Sequence, residues 1–273
     1  MTSSRTSTNW VAVKAILRKD LLAVYRSKAV VLPMLIVPVV LLVILPASIG
    51  LAARNKTLDF GKFFDLLPST LTKPIFDLPS HEQLVVLVLG YLVAPLFLIV
   101  PLMVSAVLAG DAFAGEKERK TLESLLHLPV RDREIYVAKL LVAFIPSVAV
   151  SWIGFTIYVF IANTVAWPIM QRIFVPSWRW MALIFWLAPA VAAVGLGVMV
   201  RVSIRVNNTQ EAQQLGGAVV LPLVLLAVSQ TTSLMLAGVG PTLVAGAIVW
   251  LIAAWLNIRG AQAFTRDRMA ARL

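Results

Sequence analysis

The sequence predicts an all-α integral membrane protein with six transmembrane helices, and three observations lead there. Of 273 residues, 60% are hydrophobic and only 14% are charged, against about 25% charged in a soluble domain. The apolar residues gather into six runs of 20 to 26 positions, and a helix needs about 20 to cross a ~30 Å hydrocarbon layer. The runs are continuous rather than alternating, which excludes a transmembrane β-barrel. Helices are then the only backbone that satisfies its own hydrogen bonds in lipid.

The runs place spans at 29–52, 84–109, 137–162, 180–200, 215–236 and 239–258. The first is too long for the 7–15-residue core of a signal peptide and is read as a retained span. Lys139 is the one charged residue inside these limits; it sits in the first turn of the third span, where its stem can snorkel to the interface. The fifth and sixth spans form one uncharged 44-residue run. "AGVGPT" divides it, because Gly238, Gly240 and Pro241 supply turn chemistry. The chain therefore reads as a leading amphipathic segment 1–28, a membrane domain 29–258 with a charged loop at 110–136, and a tail at 259–273.

An even number of spans puts both termini on one side, and basic residues choose the side. The segments sharing the termini's face carry 18 Lys and Arg, and the opposite loops carry 6. Lys and Arg concentrate on cytoplasmic loops, so the termini and the 110–136 loop are expected in the cytoplasm. Acids divide 9 to 4, leaving +9 and +2 on the two faces. The pI of 10.4 is then a topology signal and a match to anionic lipid heads. No aromatic and basic interleaving suggests a nucleic-acid groove. Trp152, Trp167, Trp178, Trp180, Trp186, Trp250 and Trp255 are expected in interfacial belts, with substrate contact as the other reading.

No Asp, Glu, His or Arg falls within the predicted spans, whereas proton relays and ion-coupled carriers need such groups. No nucleophile has a base near it in sequence, as hydrolysis would require. Cysteine is absent, which excludes disulfides and thiolate metal sites. The chain is expected to be no enzyme, to bind no metal or cofactor, and to draw any work from a partner. Pro33, Pro38, Pro46, Pro95, Pro101, Pro146, Pro189 and Pro222 lie within spans. Each can kink its helix, although proline is also simply commoner in membrane helices. In the outer 53–83 loop a short helix is expected around Leu58–Leu67.

One stretch breaks the apolar pattern. "GEKERKTLESLLHLPV", 115–130, packs Glu116, Lys117, Glu118, Arg119, Lys120 and Glu123 between two spans. The segment Asp111–His127 reads as a helix with a narrow stripe of Leu122, Leu125 and Leu126. Glu116 with Lys120 and Arg119 with Glu123 stand at helix-neighbour spacing, and Asp132 is expected to cap the following span. Such pairs are worth only about 0.3–0.5 kcal/mol each, so stability does not explain their density. A face patterned with both signs can fix register on a complementary protein, or it can be a solvated interfacial helix. Pattern alone leaves both open.

"EKERKTLESLLHLPVRDREIYVAKLL", 116–141, resembles the signature of ABC-2 type transporter permeases. The matching residues are Glu116, Glu118, Arg119, Thr121, Leu122, Glu123, Leu125, Leu126, Pro129, Glu134 and Lys139; Ala138 stands where many relatives have glycine. "RKDLLAVYRSK", 18–28, resembles the amphipathic helix that precedes the first span in that family. The resemblance implies a permease subunit in a prokaryotic cell membrane, working as a homodimer or with a related permease. It implies two copies of a separate ATPase that holds ATP and Mg, consistent with the absence of a phosphate loop from this chain. Coupling residues carried over by the resemblance are Glu116, Lys117, Glu118, Arg119, Lys120, Thr121, Leu122, Glu123, Leu125 and Leu126. Export of a hydrophobic or amphipathic cargo is the reading that suits an uncharged pathway. A non-transporting membrane anchor for a signalling ATPase and a membrane-embedded enzyme stand as the alternatives.

Overall fold

The leading helix, Trp10–Arg26, shows how the amphipathic pattern is spent. Val13, Ile16, Asp20 and Val24 recur at intervals of three and four and are its buried positions. Asn9 caps it, Oδ1 accepting from the N–H groups of Val11 at 3.1 Å and Ala12 at 3.3 Å. The buried face lies on the third span. In this computed structural model the described residues are 9–54, 78–119, 130–206 and 208–263. The expected helix at Leu58–Leu67 lies outside them.

Among the described residues there is no strand. Six helices are long and apolar enough to cross a membrane: Val30–Ala52, Glu82–Gly115, Asp132–Met170, Trp178–Arg205, Thr209–Leu234 and Val239–Gln262. Each contains most of its apolar run, but several helices continue past the first charged residue. Glu82, Asp111, Glu134, Arg179 and Arg201 consequently occupy end turns of spans, where backbone pairing carries on although the apolar pattern has stopped.

The fourth and second spans form the centre, being 83% and 67% buried, while the fifth and sixth are 17% and 22% buried. Small residues explain the inner position of the fourth. Ala190, Ala192 and Gly195 let its backbone approach its neighbours. A Cβ on Gly195 would stand 2.5 Å from Leu102 Cδ1 and 3.0 Å from the Leu102 carbonyl oxygen, so the second span rests on that gap.

Among the described residues four π-helical turns interrupt the spans, at Val40–Ile44, Val86–Leu92, Asp111–Gly115 and Ala182–Leu187. Three are followed within a few residues by Pro46, Pro95 and Pro189, each lacking the N–H that would continue the ladder. Pro95 also closes a turn that splits the second span before Leu96. The π turn at Asp111–Gly115 has no proline after it and lies under the charged segment. The fifth and sixth helices, Thr209–Ala237 and Val239–Ala263, are parted by Gly238 alone, at φ 106°. That conformation is close to glycine-only, and the Thr242 hydroxyl donates to the Gly238 carbonyl at 2.9 Å.

One tryptophan expected in a belt lies inside the bundle, and three others tie helices together. Trp180 is buried in an aromatic cluster, edge-on to Phe97 with centroids 5.2 Å apart and stacked on Phe155 at 5.6 Å. The indole N–H groups of Trp152, Trp186 and Trp250 donate to the carbonyls of Ile184, Leu243 and Trp186 at 3.0–3.2 Å. They cross-link helices, because an indole N–H in an apolar bundle must find an acceptor. Trp167 and Trp178, at the end of the bundle away from Lys139, are exposed, as is Trp255.

Candidate functional site

The second span does not stop where its apolar run does. Helix continues through Asp111–Gly115 and Glu116–Glu118, carrying the first charges of the 115–130 stretch against the bundle. There they meet Lys139, which is fully buried. Its Nζ stands 2.6 Å from Glu116 Oε2 and 4.0 Å from Asp20 Oδ2, and it donates to the Ala112 carbonyl at 2.7 Å. It also lies 5.7 Å from the Phe113 ring centroid. Lys139 thus points into an ion cluster instead of snorkelling. Ala112 belongs to the π turn, whose wider winding weakens the regular ladder and offers a carbonyl to the ammonium.

The neighbouring charges tie further elements to the same place. Arg119 Nη2 donates to buried Asp111 Oδ1, folding back across Gly115. A Cβ on Gly115 would come 2.8 Å from Asp111 Oδ1 and 3.3 Å from both Arg119 Nη2 and Thr209 Oγ1, so this close approach requires glycine. Glu118 Oε2 accepts from the Thr209 N–H at 2.9 Å, placing a carboxylate at the N-terminus of the fifth span, where the helix dipole favours it. The Thr209 N–H, and after it the Thr209 hydroxyl, hold the Glu118 carboxyl below its ordinary pKa of 4.5.

The third span is fastened to the leading helix at the same end. Glu134 Oε2 accepts from the Arg131 N–H at 3.1 Å and its Oε1 from the Asn9 N–H at 2.8 Å. Arg131, not Asp132, is the cap position; Asp132 is the first helical residue. Tyr136 donates to the Asn257 carbonyl at 3.0 Å, and Asn257 Nδ2 donates to the Ala193 carbonyl at 2.9 Å. A chain of polar contacts thereby joins the third, sixth and fourth spans.

Of the sequence-derived site residues, the structure brings Glu116, Glu118 and Arg119 to this junction. Lys117 lies in the same short helix, and Lys120, Thr121, Leu122, Glu123, Leu125 and Leu126 fall outside the described residues. The expected partners Lys120 and Glu123 are among those outside the described residues, so the pairs at helix-neighbour spacing are not seen here. Glu116 engages Lys139 and Arg119 engages Asp111, and both are contacts made within the bundle. Asp20 and Thr209 were not anticipated as members. Asp20 carried a signal: an acid on the apolar stripe of an amphipathic helix needs a buried cation.

A sequence profile of the family described as ABC-2 type transporter matches residues 11–229. The chain belongs to that family. The match runs from the leading helix into the fifth span and includes every member of the ion cluster. Among curated proteins none matches the chain. As an ABC-2 type chain with six apolar helices it is a multi-pass membrane protein and a permease component of an ABC transporter.

Proposed function

We propose that the chain is the permease subunit of an ATP-driven exporter for a hydrophobic or amphipathic cargo, and that the segment from Glu116 to Leu126 receives the stroke of a separate ATPase. The observation carrying this reading is the rooting of Glu116, Glu118 and Arg119. A push on that segment reaches the leading helix through Asp20, the third span through Lys139 and the fifth through Thr209. The basic-residue bias supports a cytoplasmic position for the end of the bundle holding this junction, and the family resemblance supports a prokaryotic cell membrane. Two ATPase copies, holding ATP and Mg, and a second permease complete the assembly. Residues 1–28, 29–258 and 259–273 serve as leading segment, membrane domain and tail.

The test is co-purification with the phosphate-loop ATPase, followed by ATP turnover of the complex in lipid. Reversing charge in Glu118→Arg with Arg119→Glu should leave membrane insertion and capture of the ATPase intact. It should abolish the permease's control over turnover. Failure of the unaltered chain to capture any ATPase, or full control retained by the double variant, would reject the assignment.

A further inference from the structure

The end of the bundle opposite Lys139 holds a cavity of about 390 Å³, at the lower end of the roughly 300–1,000 Å³ range of small-molecule sites. Its lining divides sharply in character. Val86, Met170 and Trp180 give it apolar walls, and Tyr91, Arg172 and Arg179 bring polar groups to it. Trp180 and Met170 are buried, whereas Arg172 is exposed at the rim.

Among the described residues the charges at this cavity do not balance. Arg172 Nη2 is paired with Glu82 Oε2 at 2.5 Å. Arg179 donates from Nη1 to the Tyr91 hydroxyl at 2.8 Å, a neutral partner. Among the described residues no carboxylate lies within ion-pair distance of it. A half-buried guanidinium without a counter-ion is costly, and it is suited to oxyanions that accept two N–H groups at once.

The wall carrying both arginines is held in place. Gln171 ends the third span in the left-handed region at φ 48°, and its N–H bonds back to Trp167. Asn163 clamps the following turn, its Oδ1 accepting from the Phe174 N–H at 3.1 Å and its Nδ2 donating to the Val175 carbonyl. The two cations are therefore presented by a built surface, with one positive charge in excess among the described residues.

We infer that this cavity binds the head of a singly anionic amphiphile, a phosphodiester, sulfate or carboxylate, against Arg179 and Arg172 with its apolar chain along Trp180 and Met170. The ligand can come from the bilayer or from water, and the chemistry of recognition is the same. The binding does not depend on the proposed ATPase coupling, and its test needs no ATPase.

The full chain in phosphatidylcholine discs is titrated with phosphatidylglycerol, a one-charge phosphodiester, and bound lipid is counted by native mass spectrometry. Phosphatidylglycerol should be retained about tenfold over phosphatidylcholine of the same chain length. Arg179→Gln should lower that preference about tenfold, the scale of one charge-assisted hydrogen bond. Glu82→Gln should raise it severalfold, because it releases Arg172. A purely structural role for these residues would not move the two variants in opposite directions. Arg259→Gln, at the other end of the bundle, should change nothing.

A single-chain lysophosphatidylglycerol added from water separates the sources. Its displacing the bound lipid marks a site reached by free amphiphiles, and its failure to do so marks a resident lipid site; both sustain the inference. Equal retention of the two lipids, or a preference unaltered in both Arg179→Gln and Glu82→Gln, would overturn it.

Discussion

Replacing Lys139 with methionine asks whether the junction is held by charge or merely contains it. Methionine keeps most of the stem's volume and removes the ammonium, leaving Glu116 and Asp20 buried without their shared cation. At an effective dielectric near 20, a unit pair is worth ~6 kcal/mol at the 2.6 Å of Glu116 and ~4 kcal/mol at the 4.0 Å of Asp20. Desolvating three buried ions takes back most of that sum. The net loss on removing one partner of a buried pair is about 3–5 kcal/mol, and the Ala112 carbonyl loses its donor as well. Lys139→Met should therefore destabilise the protein by about 3–5 kcal/mol, measured by denaturant unfolding of the protein in mixed micelles with tryptophan fluorescence. Replacing all three, Lys139→Met with Glu116→Leu and Asp20→Leu, should recover all but about 1 kcal/mol, since apolar groups of similar volume often substitute for a buried ion cluster without loss. A single variant costing under about 1 kcal/mol would show that the cluster contributes little beyond ordinary burial. A triple variant no more stable than the single would show that the damage is not electrostatic.

Other outcomes are as definite. Gly195→Ala should destabilise by about 1–3 kcal/mol through overpacking, because one of the atoms its Cβ meets is the Leu102 carbonyl oxygen, which cannot move without the second span; the same unfolding assay would expose the error if the variant proved neutral. Glu118 supplies a pH test: its carboxyl is held below 4.5 by the Thr209 N–H. The sign follows from linkage: a lowered folded-state pKa gives stability above the unfolded value, and that stability disappears as pH falls through the folded one. The difference between the native protein and Glu118→Gln should be constant near neutrality and vanish at strongly acidic pH, and a difference persisting there would contradict the contact.

The six spans were legible in the sequence because lipid leaves so few alternatives. Continuous apolar runs of spanning length can only be helices, and Gly238 marks the division of the longest run at the residue where the structure turns. The polar junction was legible only in part. Lys139 and the charged stretch stood out as exceptions to the apolar pattern, yet their pairing did not. Helix-neighbour spacing points only along the same segment, and Lys139, which pairs with Glu116, is 23 positions away on another span. Such pairings depend on how helices pack, which periodicity does not encode. The π turns were hidden for a related reason. A proline signals a lost donor but not how the ladder rewinds around it, and Asp111–Gly115 has no proline at all. Trp180 misled because its place at the start of a span suits a water boundary, whereas its ring packs inside among Phe97, Phe155 and Tyr158.

The single-residue corner at Gly238 bears on how the molecule is made. Most neighbouring spans are joined by a water-loving stretch that must be carried across the bilayer or left behind it. Here nothing of that kind separates the fifth helix from the sixth: the corner has no charge, and its hydroxyl at Thr242 is already spoken for. The pair can enter the membrane as one folded hairpin during synthesis, with no charge of its own to carry through the oil.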